Sequence, residues 1–134
     1  MMKKRETLIA HQAPRPIGPY SVGIRSGDLV FTAGMLGIDP ATGKLVEGGI
    51  EAQTRQAILN LKAILEAGGS ALPLVVKTTV FLRDMAEFPK MNATYGEFFP
   101  ADPPARTTVE VARLPMGARV EIEAVAAVAT GRGD

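Results

Sequence analysis

One helix followed directly by one apolar strand constrains the fold more than any other part of the chain. Over residues 50–65, apolar side chains recur at helical spacing while Glu51 and Lys62 lie on the opposite side, which predicts an amphipathic helix. Gly68-Gly69 supplies the left-handed stop that commonly ends such a helix. The run 74–82 is rich in valine and threonine and apolar on both alternating faces, which predicts a central, doubly covered strand. The chain should therefore build a sheet with helices packed against it.

The remaining segments complete a predicted order of β-β-α-β-α-β-β. Before the first helix, the runs 20–25 and 29–33 flank Ser26-Gly27-Asp28, whose length and residue types predict an antiparallel hairpin. The segment 34–49 is punctuated by glycines and is predicted to be a long loop. The range 86–99 predicts a second helix with several apolar residues available for packing.

Two strands at the C-terminal end close the predicted sheet. Residues 107–112 and 119–129 are β-prone and flank a turn at 113–118, so a hairpin-like return is expected between them. In the last strand, Val120 and every second residue after it share one face, whereas Glu121 and the residues alternating with it share the other. The first of these faces should meet the two helices.

The opposite face of the sheet is also predicted to be covered. Val125 and Ala127 in the last strand and Phe81 in the central strand make this face too apolar to be left in water. Since two helices can cover only one face, a partner subunit is expected on the other. Gly131–Asp134 should be a frayed tail.

Composition excludes several classes of function. The 134 residues, of which 46% are hydrophobic, fit one globular domain spanning 1–134. The absence of cysteine excludes disulfides, thiolate metal sites and cysteine nucleophiles, and it suits the cytoplasm. The net charge is +1 and the basic cluster Lys3-Lys4-Arg5 is short, so neither nucleic acid nor a membrane surface is expected as a partner. No run has the apolar character of a signal peptide or of a spanning helix.

The strongest candidate for a functional side chain is Arg106, which follows the proline loop 100–105. Pro103 and Pro104 have fixed φ angles and favour extended geometry in the residues before them, so little entropy is lost in holding Arg106 still. Its planar fork of donors matches a carboxylate or a phosphate, which makes an anionic small molecule the first hypothesis for a ligand. The alternative is a surface arginine at a strand entry, paired with a carboxylate or with nothing.

Other catalytic arrangements have little support in the sequence. The single histidine, His11, lies in a proline-rich loop without a convincing serine partner, and the acidic residues lack metal-ligand spacing, so neither a nucleophilic triad nor a metal site is expected. Glu121 and the acid two residues after it point the same way, but such pairs are commonplace on strand faces. Arg106, a strand-borne acid, the Tyr20 phenol and backbone donors near Gly34 suit catalysis by positioning and by polarised water.

Five stretches of the chain form an ordered set of motifs. They are Ile17-Gly18-Pro19-Tyr20-Ser21, Phe31-Thr32-Ala33-Gly34, Lys77-Thr78-Thr79-Val80-Phe81-Leu82-Arg83-Asp84, Met91-Asn92-Ala93-Thr94-Tyr95 and Pro104-Ala105-Arg106-Thr107-Thr108-Val109-Glu110-Val111. Together they resemble the reactive-intermediate deaminase (Rid) family, in particular its RidA-like branch. The resemblance spans nearly the whole chain, and its C-terminal stretch is the most specific.

The resemblance implies a fold, an assembly and an activity. The fold is α+β and chorismate-mutase-like, a single domain with a mixed sheet and two helices on one face. The implied assembly is a homotrimer with active sites in clefts between subunits. The implied activity is hydrolysis of enamine or imine intermediates, such as 2-aminoacrylate and 2-iminopropionate released by pyridoxal-phosphate enzymes, to 2-oxo acids and ammonia. No cofactor is required, because a protonated imine is already electrophilic.

The resemblance also implies roles for individual residues. Arg106 falls on the family arginine that grips the substrate carboxylate, and Glu121 falls on the acid associated with the attacking water. Tyr20, Gly34 and Asn92 match the family as substrate-binding positions.

Two further substrate-binding positions depart from the family pattern. Many members have serine before the glycine and cysteine two residues after the arginine, where this chain has Ala33 and Thr108. Neither position supplies the nucleophile, so activity should survive with altered substrate preference.

Two other functions stay open from the sequence. A non-catalytic module that binds 2-oxo acids or amino acids would use the same arginine. A ribonuclease or translation inhibitor is a role also attached to the family's name, but the chain lacks the basic patch, histidine pair and clustered aromatics that RNA recognition and cleavage would require.

Overall fold

The computed structural model describes residues 5–129, and a mixed seven-stranded sheet is its main element. The predicted tail at 131–134 and the lysines at 3 and 4 lie outside the described residues. The strands are β1 (Glu6–Leu8), β2 (Gly23–Ser26), β3 (Leu29–Thr32), β4 (Met35–Leu36), β5 (Ile38–Asp39), β6 (Lys44–Leu45), β7 (Val75–Leu82), β8 (Ala105–Glu110) and β9 (Val120–Ala127). The order across the sheet is β1-β2-β3-β9-β7-β8, with β4 also paired to β9, while β5 and β6 form a separate hairpin.

Two helices cover one face of this sheet, as predicted. Helix α1 spans Gly49–Ala67 and packs against β9, β4 and α2, which spans Phe88–Phe98. Gly69 ends α1 with a φ of 82°, a left-handed conformation that glycine adopts without steric cost. Pro89 is the second residue of α2, where its missing N–H has no helical partner to lose.

The predicted central strand is confirmed as β7, which lies between antiparallel β9 and parallel β8. Its residues Thr78, Val80 and Leu82 are fully buried beneath the helices. Thr79 and Phe81 alternate with them and lie half-buried on the other face. The result is the expected α+β domain with a mixed sheet and both helices on one side.

The predicted hairpin between the last two strands is wrong, because β7 lies between them. In the register, Thr78 of β7 faces Arg106 of β8 on one side and Ala124 of β9 on the other. The crossover through α2 returns β8 parallel to β7 at the sheet edge, and β9 then enters the space between β7 and β3. Alternation of apolar residues shows which face of a strand is buried, but not which strand it pairs with.

The predicted loop 34–49 contains three short strands that the sequence pattern does not reveal. Runs of two residues between glycines are too short for alternation to be detected. The fully buried Asn60 of α1 holds this segment, because its Nδ2 donates hydrogen bonds to the carbonyls of Leu36 at 3.0 Å and Ile38 at 2.9 Å. The start of the segment is therefore tied to the helix layer.

The face of the sheet away from the helices is partly apolar, as predicted. Phe31 is 41% exposed and Val109 38% exposed, while Val125 is half-buried. A small apolar cluster around Leu36, which includes Phe81, lies at one end of this face. Neither helix within residues 5–129 has the length and apolar character needed to cross a bilayer.

Candidate active site

Arg106 lies half-buried on the helix side of the sheet, as the second residue of β8. Its guanidinium carbon is 4.7 Å from the ring centre of Tyr95 and 5.5 Å from that of Phe88, both on α2. Such contacts are attractive because the faces of aromatic rings carry negative charge density. Within residues 5–129, no carboxylate pairs with this guanidinium and no hydrogen bond uses its donors. Arg106 is therefore a held cation whose fork of donors is free for an anion.

A cavity of about 380 Å³ opens beside the Arg106 guanidinium. Asn92 of α2 lines one side of it, and Pro103 and Pro104 of the predicted rigid loop line another. Thr108 lies two residues further along the same face of β8, and its hydroxyl oxygen is buried without a hydrogen-bond partner among the described residues. Two of the predicted substrate contacts thus lie on the same side of the sheet as Arg106.

Glu121 lies on the opposite face of the sheet. In β9 it alternates with the buried Val120 and Ile122, and it faces Leu36 of β4. Burial raises the pKa of the Glu121 carboxyl above the usual value for glutamate, and the negative charge of Glu123 raises it further. A carboxylate with a raised pKa accepts a proton more readily, which suits a general base.

Gly34 packs directly against the Glu121 carboxylate. A Cβ atom at Gly34 would lie 2.6 Å from Oε2 of Glu121, so any larger residue would displace this side chain. Both residues border a cavity of about 70 Å³ that Tyr20 and Pro115 also line. The Tyr20 hydroxyl accepts a hydrogen bond from the Ile17 N–H at 3.3 Å. The cavity leaves room for a water molecule beside the carboxylate.

Ala33 lines neither of these two cavities. Its side chain packs against the core, and its N–H donates to the Val22 carbonyl at 2.8 Å. Its place in the substrate site therefore stays a prediction.

One chain does not bring Arg106 and Glu121 together. They lie two strands and three register positions apart, which places their Cα atoms about 14 Å from each other. Their side chains also point to opposite faces, because Arg106 contacts α2 whereas Glu121 faces away from the helices. The structure thus separates the predicted residues into an arginine half-site (Arg106, Asn92, Thr108) and a glutamate half-site (Glu121, Gly34, Tyr20).

Sequence reasoning missed two residues that support Arg106. The buried hydroxyls of Thr78 and Tyr95 lie 2.7 Å apart and share a hydrogen bond. Burial raises the pKa of the Tyr95 phenol, although the Thr78 hydrogen bond and the charge of Arg106 act in the opposite direction. A signal was present: a threonine facing inward beside Val80 in a central strand needs a polar partner, and Tyr95 was the candidate on the inner side of the second helix.

The described part of the chain offers little for other chemistry. Across residues 5–129, no group of three or more His, Cys, Asp or Glu side chains could hold a metal ion. His11 is exposed in its loop.

The chain is similar to known proteins over most of its length. Residues 10–128 match the family model described as Endoribonuclease L-PSP. A RutC family protein of Pyrococcus horikoshii is 52% identical over 122 residues, which cover 91% of this chain and 97% of that protein. The 2-iminobutanoate/2-iminopropanoate deaminase of Salmonella typhimurium is 47% identical over 124 residues, which cover 90% and 96%. The crystal structure of E. coli TdcF with bound serine is 37% identical, has a TM-score of 0.88 and is matched over 92% of this chain and 99% of that one.

These similarities show that the chain belongs to the endoribonuclease L-PSP (Rid) family, as its motifs indicate.

Proposed function

We propose that this protein hydrolyses 2-imino carboxylates, such as 2-iminopropionate, to 2-oxo carboxylates and ammonia. The observation that carries the proposal is the half-buried Arg106, whose donors bind none of the other described residues and which borders a cavity large enough for a small organic acid. Membership of the Rid family supports the same reaction class, as does the deaminase name of the Salmonella relative. Serine, which the E. coli relative binds, also carries a carboxylate next to a nitrogen-bearing carbon.

The chemistry needs one base and one anchor. Arg106 binds the substrate carboxylate with two parallel hydrogen bonds, which fixes the imine carbon in the site. Water adds to this carbon, and its proton passes to Glu121, giving a neutral tetrahedral carbinolamine from the protonated imine. Glu121 then returns the proton to the nitrogen. The C–N bond breaks and ammonia leaves, while the carbinolamine hydroxyl gives its proton to the Glu121 carboxylate and the C=O bond forms. This proton is finally released, so the products are the 2-oxo carboxylate and ammonium. An enamine such as 2-aminoacrylate enters after protonation of its terminal carbon gives the imine.

The complete site is proposed to form between two copies of the chain. A 2-imino acid of a few heavy atoms cannot contact Arg106 and Glu121 of one copy, because the sheet lies between them. The arginine half-site of one copy would meet the glutamate half-site of the next in a homotrimer, which is the assembly that the family resemblance implies. Repeated around a three-fold axis, this head-to-tail contact closes with three equal sites.

A coupled assay tests the activity. 2-Aminoacrylate is generated from serine by a dehydratase, and release of ammonia and pyruvate is followed with and without this protein. Acceleration that is lost in Arg106→Ala is the expected result. No acceleration, together with binding of pyruvate at Arg106, would leave a carboxylate-binding module instead. An RNA digestion run beside it tests the ribonuclease alternative.

Mixing inactive variants tests where the site lies. Arg106→Ala and Glu121→Gln are each expected to be inactive alone. When they are unfolded together in equal amounts and refolded, about a quarter of the intersubunit sites should combine an intact arginine with an intact glutamate. Recovered activity supports a shared site. No recovery, with mixed oligomers shown by mass spectrometry, would contradict it.

The cytoplasmic location that the cysteine-free composition suits stays a prediction.

A further inference from the structure

Among the described residues, none accepts a hydrogen bond from the Arg106 side chain, which is held by other contacts. The usual way to fix a half-buried arginine is a carboxylate partner, but that partner would compete with the carboxylate of a ligand. Here the ring of Tyr95, with its centre 4.7 Å from the guanidinium carbon, stands where such a carboxylate partner would be expected. An aromatic face attracts the cation through its plane and leaves the five N–H groups at its edge free.

The Tyr95 ring is itself fixed on its far side. Its hydroxyl is 2.7 Å from that of Thr78, and both residues are at most 4% exposed. Thr78 also faces Arg106 directly across the parallel strand pair. The backbone register and the hydroxyl pair therefore connect Thr78, Tyr95 and Arg106 in a closed loop of contacts.

Stability alone gives a weak reason for this hydroxyl pair. A buried hydrogen bond between neutral groups contributes little net stability, and replacing both partners by apolar groups of similar shape is often nearly neutral. Valine and phenylalanine would fill the same space. What the hydroxyl pair adds is a defined tilt of the ring beneath the guanidinium.

We propose that Tyr95, oriented by Thr78, is a positioning residue that holds the Arg106 fork in the geometry that binds a carboxylate. The inference rests on the proposed function for its substrate. The effect of the Tyr95 ring on the orientation of the Arg106 guanidinium can be measured without turnover. The raised pKa of Tyr95 agrees with it, because a phenol that stays protonated offers a neutral ring face and not a competing phenolate.

Affinity for pyruvate, measured by titration calorimetry, tests the proposal. Tyr95→Leu should bind pyruvate about tenfold more weakly than the parent protein. Tyr95→Phe and Thr78→Val should each weaken binding by about twofold to fivefold, because the ring stays but its tilt is released. The double variant Tyr95→Phe/Thr78→Val should be no weaker than either single one, since all three lose the same hydrogen bond. In turnover, the same order should appear mainly in KM, with the largest change in Tyr95→Leu.

A matched control separates positioning from packing. Phe98→Leu, on the same helix, removes an aromatic ring that packs partly buried against the core and does not contact the Arg106 guanidinium. It should bind pyruvate like the parent. The Arg106 Nε–H signal in a ¹H–¹⁵N spectrum adds a direct readout, because the ring current of Tyr95 should be lost in Tyr95→Leu and kept in Phe98→Leu.

The positioning role would be overturned if Tyr95→Leu kept the parental affinity for pyruvate and an unmoved Arg106 signal. It would also be overturned if Phe98→Leu lost as much affinity for pyruvate as Tyr95→Leu. A parent protein that binds pyruvate without hydrolysing any imine would overturn the proposed function only. The binding and spectroscopic measurements would then still decide the role of Tyr95.

Discussion

At Arg106, the proposed contact with a substrate carboxylate depends on the shape of the charged group as well as on its sign. Arg106→Lys keeps the positive charge but loses the planar fork and the broad contact with Tyr95. Removing a two-point anchor from a shielded site should cost roughly 2–4 kcal/mol of transition-state binding. We expect kcat/KM for 2-iminopropionate to fall at least about 30-fold, with an unchanged melting temperature. Hydrolysis at the parental rate would contradict the carboxylate-fork mechanism.

At Glu121, the raised pKa predicts a pH dependence of activity. The carboxylate must be ionised to accept a proton from water, so kcat/KM should rise with pH through a value above the ordinary glutamate pKa of about 4.3. Glu123→Gln removes the nearby negative charge and should move this rise to lower pH. A pH–rate profile measures both effects. The same profile in Glu121→Gln would mean that another group titrates.

The same shift predicts how Glu121 affects stability. The folded protein holds the Glu121 proton more tightly than the unfolded chain, so the free energy of unfolding should fall as pH rises from the unfolded pKa through the raised folded pKa. At pH values above the raised folded pKa, the free energy of unfolding is lowered by the full cost of ionising Glu121 in the folded protein. Glu121→Gln should therefore be more stable than the parent at neutral pH but not below pH of about 4, as urea unfolding at both pH values would show.

Among the elements, the contact between α1 and the segment after Gly34 depends on one buried amide. Asn60→Ala would leave the carbonyls of Leu36 and Ile38 without their donor, which should cost roughly 2–4 kcal/mol in the free energy of unfolding. The control is Gln56→Ala, which removes only the bond from Gln56 to Asn60 and should cost about 1 kcal/mol. Equal losses in urea unfolding would mean that the two carbonyls find other partners.

The sequence predicts those elements whose position depends on residues close together in the chain. Periodicity and glycine stops locate α1 and β7, and proline stiffness singles out Arg106. The pairing of β8 with β7 could not be predicted, because alternation in a strand is the same whichever neighbour it has. The support from Tyr95 was missed for a related reason: helical spacing marks it as a packing residue, and only the tertiary fold shows that its ring lies under a guanidinium.

At the scale of the whole molecule, the two faces of the sheet differ in how well they are covered. One face is covered by α1 and α2, whereas the other leaves Phe31 and Val109 exposed and also carries the half-buried Glu121. In the proposed mechanism the base lies on one face and the substrate anchor on the other, so a second copy is needed to complete the site. Assembly and activity should therefore be lost together.

Phe31→Glu tests this coupling, with Leu59→Glu as its matched control. Phe31 is 41% exposed on the uncovered face of the sheet, and Leu59 is 39% exposed on α1, so both changes place a charge at a similarly exposed apolar position. A carboxylate buried in an interface is costly. Phe31→Glu should therefore convert the proposed homotrimer into monomers that retain the parental circular dichroism spectrum and lack the proposed deaminase activity. Leu59→Glu should remain trimeric and active. Light scattering at micromolar concentration measures the assembly: a monomeric parent protein, or a monomeric Phe31→Glu variant with full activity, would show that one chain carries the whole site.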